Sequence, residues 1–332
     1  MITLSSRYFN HKVVSTLILL VSSCSILLAH NEVSNYKVYF ATGFYLNKKV
    51  LVIRSFEQSG QQFYIGVNPE SLESEIIASV EVLAISITWQ QALIEYSNTP
   101  YVKAIQVAKQ QSYGLLNSGI NHGFSKEQGV TLTIDLCPSH KALDRIIFTS
   151  LISEFQKIEN PVPIALSITG RFMLSHSDDL DWLMRLISAG QIKITWINHT
   201  YNHYYNPKIP LKDNFLLEPN TDLNFEILGT EEALLQRGLL FSVFFRFPGL
   251  VSNNQLVDKV TEYGLIPIGS DAWLAKGQKA HSGSIVLIHG NGNEPLGIKE
   301  FIKLLQTEKA FVIEKKWLMY DLRETVENEF QQ

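Results

Sequence analysis

Short apolar runs alternate with helical segments along the C-terminal two thirds of this chain, and this alternation limits the fold more than any other feature. The apolar runs are 131–134, 163–168, 192–197, 241–245, 265–268 and 284–288. The helical segments between and after them are 141–158, 179–189, 231–237, 254–263 and 298–307. Runs and helices in this order predict parallel strands joined by helices. We therefore predict an α/β fold, a distorted (β/α) barrel of about seven strands, over residues 129–325.

Polar residues follow these runs at corresponding positions. Each of five residues lies at or just beyond the C-terminal end of a different run: Asp135, His199, Arg246, Asp271 and His289. One such residue alone is more often a solvated loop residue or a cap. In a parallel βα architecture, however, these strand ends converge, and the loops there carry the active site. Five polar strand ends therefore predict one site.

Residues 31–128 have a different pattern and predict a small β-rich N-terminal domain before the barrel. The runs 49–56 and 62–67 flank the turn-forming Gln58-Ser59-Gly60, which indicates a hairpin. A helix is expected within 101–116, and the polar, Gly-containing loop 117–123 suits a domain boundary. Nothing in this region indicates chemistry.

The first 30 residues have the charge order of an export signal. Arg7, His11 and Lys12 precede a 17-residue apolar stretch, 13–29, and no acidic residue occurs before Glu32. The segment is expected to be a signal peptide or a membrane anchor, and the sequence does not separate these. Either one predicts export to the periplasm, the cell envelope or the extracellular space, with membrane attachment where the segment is retained.

The composition argues against nucleic-acid binding and against an intramolecular disulfide in the processed chain. With 18% charged residues and a formal net charge of -4, the chain lacks the basic excess of nucleic-acid-binding proteins. If the N-terminal segment is removed, Cys137 is the one cysteine left, so no intramolecular disulfide can form. No Cys-His motif surrounds Cys137, and we interpret it as a packed residue rather than a nucleophile.

His199-Thr200-Tyr201-Asn202-His203 places two imidazoles four residues apart. One helical turn would put both on one face, within reach of a single divalent ion. The spacing alone is weak, because two surface histidines beside a Tyr-rich loop would give the same pattern.

The pentapeptide also resembles the His-Ser/Thr-x-x-His metal motif of the polysaccharide deacetylase family, family four of the carbohydrate esterases. Three other segments are similar to that family's motifs, in the same order along residues 129 to 325. They are Pro163–Gly170, a second strand ending in Gly, Phe245-Arg246-Phe247-Pro248-Gly249, an Arg-x-Pro motif, and Leu287-Ile288-His289, a Leu-x-His motif.

This resemblance implies a metal-dependent hydrolase that removes N-acetyl groups from a cell-envelope or extracellular polysaccharide. His199 and His203 would hold a divalent ion, with zinc expected, and the catalytic base would be Asp135. His289 would protonate the leaving nitrogen, and Arg246 would pair with the base and keep it ionised.

Asp271 with Trp273 resembles the family's fourth motif. In that motif an acid tunes the catalytic histidine and a tryptophan forms a wall of the acetyl pocket. The resemblance therefore makes Asp271 a fourth catalytic residue.

The first motif departs from the family's Thr-Phe-Asp-Asp-Gly. This chain has Thr133-Ile134-Asp135-Leu136-Cys137, so Leu136 stands where the family has a metal-binding carboxylate. Zinc needs about three protein ligands and an open position. The third ligand could be Asp135, which we favour, or else His140 or Asp144.

Leu136 also supports a second hypothesis, a catalytically silent barrel that binds glycan or a partner protein. A third is hydrolysis of a different amide or ester on the same fold. The sequence leaves the particular glycan and the oligomeric state open.

Overall fold

The structure is a computed structural model that describes residues 32–330. The predicted signal peptide or membrane anchor at residues 1–30 lies outside the described residues. Within 32–330, no helix combines the length and hydropathy that crossing a bilayer requires.

The N-terminal region forms an antiparallel sheet with the strand order β4-β3-β2-β1-β5. Its strands are β1 (Val33–Tyr45), β2 (Lys48–Gln58), β3 (Gln61–Val67), β4 (Ser74–Ala78) and β5 (Ile85–Ser86). The predicted hairpin is confirmed, because β2 pairs with β3 around Ser59 and Gly60. Both turn residues have positive φ, 53° and 75°, as the tight turns of two-residue hairpins require.

Two helices follow this sheet, α1 (Trp89–Glu95) and α2 (Pro100–Gln110). The predicted helix within 101–116 is confirmed as α2, although it ends at Gln110. Thr88 caps α1, since its side chain accepts a hydrogen bond from the Gln91 N–H (3.2 Å).

A second sheet is parallel throughout and curls into a half-barrel. Its strands are β6 (Gly129–Leu136), β7 (Val162–Ile168), β8 (Ile192–Asn198), β9 (Phe241–Phe245), β10 (Ile266–Pro267), β11 (Ala272–Trp273), β12 (Ile285–His289) and β13 (Leu318–Met319). Seven strands follow the order β10-β9-β8-β7-β6-β12-β11, and β13 pairs with β6. Every residue of β6 is buried, as expected where helices cover a parallel sheet. The predicted α/β fold with about seven parallel strands is confirmed.

The helices around this sheet are α3 (Ile146–Phe155), α4 (Gly170–Ser175), α5 (Ser177–Ser188), α6 (Thr230–Leu235), α7 (Asn254–Glu262), α8 (Pro295–Ile313) and α9 (Leu322–Phe330). The helix predicted over 141–158 begins only at Ile146. The residues before it are bonded elsewhere: the Leu143 N–H donates to Asp179 (2.8 Å) and the Asp144 N–H to the Gly290 carbonyl (2.7 Å). These tertiary bonds replace the first helical turn.

The two sheets belong to one compact unit and share one apolar core. A buried ion pair joins them, because Arg54 on β2 donates from Nε to Oε2 of Glu231 on α6 (2.7 Å). Arg54 Nη2 donates to Oε1 of the same carboxylate (2.9 Å), and Nη1 donates to the Tyr263 carbonyl (2.6 Å). The second sheet begins at Gly129, but the separation of residues 31–128 as an independent domain stays a prediction.

Candidate functional site

The carboxyl ends of β6, β8, β9 and β12 bring four of the five predicted polar residues together. His289 lies directly opposite Asp135 in the pairing of β12 with β6. His199 Nε2 is 3.8 Å from Asp135 Oδ2, and Arg246 Nη1 is 3.5 Å from Asp135 Oδ1. His199 and Arg246 are fully buried, and Asp135 nearly so. These three side chains are therefore almost completely enclosed by the described part of the protein.

The segment that carries both predicted histidine ligands is an irregular loop. The predicted helical turn is wrong, since Thr200 and His203 have positive φ values of 69° and 49°. The Thr200 N–H donates to the Asn198 side chain (3.0 Å), and the Gly170 N–H donates to the Thr200 carbonyl (3.2 Å). These bonds fold the loop so that the imidazoles of His199 and His203 still meet, with ring centroids 4.8 Å apart.

His199 is oriented through its second ring nitrogen. Its Nδ1 lies 2.9 Å from the Arg246 carbonyl oxygen, which can only accept, so Nδ1 carries the hydrogen. Nε2 then faces Asp135 Oδ2, 3.8 Å away, and the Cys137 sulfur, 3.7 Å away. This is the usual way in which proteins fix a metal-binding imidazole.

Cys137 is the site residue that the sequence interpretation missed. Its side chain lies among the histidines, whereas Leu136 is fully buried and directs its methyl carbons toward Gly290. A signal was available, because residues two apart on a strand share a face. Asp135 and Cys137 have that spacing. Cys137 is buried, as its interpretation as a packed residue expects, but it also lies in a group of possible metal ligands.

Cys137, His199 and His203 form a cluster whose donor atoms all lie within 4.8 Å of one another. His203 Nε2 is buried and has no hydrogen-bond partner in the structure. A buried unpaired nitrogen beside a thiol and a second imidazole fits a divalent cation, which would satisfy all three. Neither His140 nor Asp144 belongs to the cluster, and His140 is exposed.

The charges in the cluster depend on one another. Burial alone would raise the pKa of the Cys137 thiol, but His203, His289 and a hydrogen bond with His199 together hold that pKa well below its usual value. Burial alone would lower the pKa of His203, and the neighbouring Cys137 reverses this and raises it. The site thus favours a thiolate among imidazoles.

His289 is held by Glu294, five residues further along the chain. Nδ1 of His289 lies 2.8 Å from Glu294 Oε2, and the Trp273 indole N–H donates to the same oxygen (2.7 Å). Burial would lower the pKa of His289, but Cys137 and Glu294 raise it well above its usual value. Burial would raise the pKa of Glu294, yet the bonds from His289 and Trp273 bring it down to about 2.

Asp271 makes its hydrogen bonds with residues other than His289, and the catalytic role predicted for it stays a prediction. Its Oδ2 is 2.6 Å from Nδ1 of His122, and its Oδ1 accepts the Ile285 N–H (3.0 Å). Glu294 occupies the position beside His289 that was assigned to Asp271. No spacing rule marked Glu294, because it lies on the loop 290–294 that follows β12.

A cavity of about 750 Å³ opens onto this cluster. The cluster side lines it with Cys137, His203 and His289. Its other walls are mainly apolar and aromatic, and comprise Leu116, Pro138, Tyr205, Leu211, Phe215, Gly249, Trp273, Lys276, Asn293 and Glu294. The rings of Tyr205 and Phe215 are stacked with centroids 5.0 Å apart. The predicted Tyr-rich loop therefore contributes one wall.

No protein-family model matches the sequence. A similar solved structure is that of a family 4 carbohydrate esterase from Bacillus anthracis, with 19% identity over 68% of this chain and 91% of that one and a TM-score of 0.46. Another, a family 4 carbohydrate esterase from Bacillus subtilis, has 15% identity over 74% and 92% of the two chains and a TM-score of 0.45. A third is described as a CE4 family pseudoenzyme from Bacillus anthracis, with 16% identity over 64% and 70% of the chains and a TM-score of 0.43. These proteins belong to the family that the sequence motifs resemble.

Proposed function

We propose that this protein is a metal-dependent hydrolase that removes N-acetyl groups from a cell-envelope or extracellular polysaccharide. The observation that carries the proposal is the position of the Cys137, His199 and His203 cluster at a cavity, beside the Asp135–Arg246 and His289–Glu294 pairs. Amide hydrolysis needs an electrophile, a base and an acid, and this arrangement offers a candidate for each.

The cluster would hold the ion through His199, His203 and a third donor. A divalent ion there supplies Lewis acidity, which polarises a carbonyl oxygen and makes water easier to deprotonate. No described carboxylate other than Asp135 is recorded in contact with these imidazoles.

Asp135 is the proposed base. It is nearly fully buried, and the guanidinium of Arg246 lies 3.5 Å from its Oδ1. Arg246 also donates from Nη2 to the Gly269 carbonyl (2.9 Å). That second bond anchors the guanidinium, so the carboxylate is held by a fixed partner. A carboxylate in this position can accept the proton of the attacking water.

His289 is the proposed acid. Its contact with Glu294 and its raised pKa favour the protonated imidazolium, which can give a proton to the departing amine. The Trp273 indole N–H donates to the same oxygen of Glu294. The products are the free amine of the sugar and acetate.

The cavity suits a sugar derivative. Tyr205, Phe215 and Trp273 offer ring faces for the C–H surface of a sugar and for an acetyl methyl group. The basic and apolar N-terminal segment predicts export, and this would bring the protein to envelope glycans. Export is therefore part of the proposal.

The test is acetate release from N-acetylated glycan oligomers by the zinc-supplemented protein. Asp135→Asn and His289→Ala should each lower the rate by about 10²- to 10³-fold. His281→Ala is the matched control, because His281 is exposed and outside the cavity. Metal-replete protein that releases no acetate from any N-acetylated glycan would refute deacetylation.

The second candidate is a catalytically silent barrel that binds glycan. The observation in its favour is Leu136, an apolar residue at the expected position of a metal-binding carboxylate. It would be supported by glycan binding that is equal in the wild type and in Asp135→Asn, with no acetate released by either.

A further inference from the structure

We infer that Cys137 is the third protein ligand of the metal, binding as a thiolate in place of a carboxylate, and that the site therefore selects thiophilic ions such as zinc or cobalt over magnesium and calcium. This inference concerns the same site and rests on the proposed function for its setting. It assigns to Cys137 the ligand role that the sequence interpretation favoured for Asp135.

The position of the sulfur is the first argument. Sγ lies 3.7 Å from the free Nε2 of His199, and the donor atoms of Cys137, His199 and His203 lie within 4.8 Å of one another. A single ion with bonds of about 2.0 to 2.3 Å to nitrogen and sulfur can be reached by three atoms at these separations.

The unpaired nitrogen of His203 is the second, independent argument. His203 Nε2 is buried without a hydrogen-bond partner, a condition that is costly unless something fills the space beside it. Its ring packs edge-on against Phe215 (5.5 Å) and beside His199 (4.8 Å). Ring packing therefore helps to hold the imidazole at the cluster.

The backbone of Cys137 is also fixed. Its carbonyl oxygen accepts a hydrogen bond from the Asn291 side-chain amide (2.6 Å), and Pro138 follows it. Asn291 is fully buried. A sulfur on a backbone held in this way is pre-positioned, as metal ligands generally are.

Asp135 is engaged differently. Arg246 lies 3.5 Å from its Oδ1 and is itself fully buried, so a metal at Asp135 would have to share the carboxylate with a fixed cation. Cys137 as ligand leaves Asp135 free for proton transfer. The two roles that the sequence interpretation combined in one residue are then divided between residues 135 and 137.

The donor set determines the choice of ion. One thiolate and two imidazoles suit zinc and cobalt, whereas magnesium and calcium prefer oxygen ligands. On binding, the Cys137 S–H bond breaks, the electron pair forms the sulfur–metal bond, and the proton passes to solvent.

Cobalt(II) loading of the full-length protein tests the inference without any activity assay. A thiolate bound to cobalt gives a sulfur-to-metal charge-transfer band in the near ultraviolet. We expect about one cobalt ion per chain with this band, and the same result for Cys24→Ser, which removes the other cysteine. Cys137→Asp should bind cobalt without the band and accept magnesium or manganese more readily than the wild type. Cys137→Ser should lose the band and bind cobalt about 100-fold more weakly.

The outcomes separate this inference from the proposed function. One cobalt per chain without the band in the wild type overturns the thiolate ligand and leaves the metal-dependent hydrolase standing. No cobalt in folded wild-type protein overturns both. The wild type and Cys24→Ser decide the matter even if a Cys137 variant does not fold, and circular dichroism checks the fold of each variant.

Discussion

At the scale of single residues, Glu294 is the side chain that controls the orientation of His289. The carboxylate contacts His289 Nδ1 and the Trp273 indole, so Glu294→Gln would replace an acceptor on which two donors converge. We expect acetate release to fall about 10- to 100-fold, less than on removal of the acid itself. Initial rates at saturating glycan and equal zinc content measure this.

Asp271→Asn is the matched control for Glu294→Gln, because Asp271 contacts His122 and the backbone of Ile285 rather than His289. Its rate should stay within about threefold of the wild type, a change of under 1 kcal/mol in the barrier. A larger loss in Asp271→Asn than in Glu294→Gln would support the role predicted from the sequence.

The sequence predicted the ionisable residues at strand ends, and the motif resemblance added His203, but Cys137 and Glu294 were missed. Asp135, His199, Arg246 and His289 were found because parallel strands end at one edge. Cys137 lies one residue beyond β6, and Glu294 lies within the loop after β12. The spacing of Cys137 from Asp135 was a usable signal that was not applied. The position of Glu294 depends on how the loop after β12 closes, which the apolar periodicity does not encode.

At the scale of elements, the loop that carries His203 depends on Gly170 at the start of α4. A Cβ added at Gly170 would lie 2.2 Å from the Tyr201 ring, inside its van der Waals radius. We expect Gly170→Ala to lower the free energy of unfolding by about 1 to 3 kcal/mol, the usual cost of overpacking. It should also weaken zinc binding, because a displaced Tyr201 would shift His203, which lies two residues further along the same loop.

Gly114→Ala is the control for this change, since nothing lies within 4 Å of its added Cβ. Its stability should stay within about 0.5 kcal/mol of the wild type. Urea denaturation and zinc titration of both variants are the measurements. Unchanged zinc affinity in Gly170→Ala would show that the loop position does not depend on this contact.

The same loop shows why local spacing misled the sequence interpretation. The four-residue separation of His199 and His203 suggested a helical turn, but the Asn198 side chain and the Gly170 N–H take the backbone groups that such a turn would use. Side-chain bonds of this type compete with helix formation. His199 and His203 are neighbours, as predicted, but an irregular loop rather than a helical turn brings them together.

At the scale of the whole molecule, the Arg54–Glu231 pair joins the antiparallel sheet to the half-barrel. Both side chains are fully buried, and Tyr36 adds a third bond to Glu231 (2.7 Å). Arg54→Met leaves a buried carboxylate without its cation and should cost about 3 to 5 kcal/mol. The double variant Arg54→Met/Glu231→Met should recover much of that loss, because it removes both charges.

Lys49→Met is the control for the buried pair, since Lys49 and Glu95 form an ion pair with side chains 41% and 30% exposed. Its loss should cost no more than about 1 kcal/mol. Chemical denaturation of the wild type, Arg54→Met, the double variant and Lys49→Met gives the free energies of unfolding to be compared. A cost for Arg54→Met as small as that for Lys49→Met would mean that the two sheets are held together by apolar contacts alone.

The strand count and the parallel direction of the barrel sheet could be predicted from the sequence, but the strand order could not. Alternation identifies which segments are strands, whereas the pairing of β6 with β12, about 150 residues apart, depends on contacts distant in the chain. The Arg54–Glu231 pair was hidden for the same reason. In sequence, a lone arginine on an apolar strand looks like an edge residue.

Glu159 makes the stability of the folded protein depend on pH near neutrality. Its Oε2 accepts the Met319 N–H (2.9 Å) and so ties the segment after α3 to β13. Burial, aided by the charge of Glu324, raises the pKa of Glu159 from 4.5 to about 7, although the Met319 bond opposes this. Between these two values the folded state holds a proton that the unfolded chain releases.

The sign of the effect follows from that difference. The stability contributed by the raised pKa is fully present below pH 4.5 and is lost as the pH rises through about 7. Glu159→Gln keeps an acceptor for the Met319 N–H but cannot ionise. The loss of stability that Glu159 causes at rising pH should therefore be absent from this variant. Between pH 5 and pH 8 the wild type should lose about 1 to 2 kcal/mol more than the variant, after allowance for solvent screening of a partly exposed group. Urea denaturation across this range measures it, with the exposed Glu262→Gln as the control, and parallel curves for the wild type and Glu159→Gln would contradict the raised pKa.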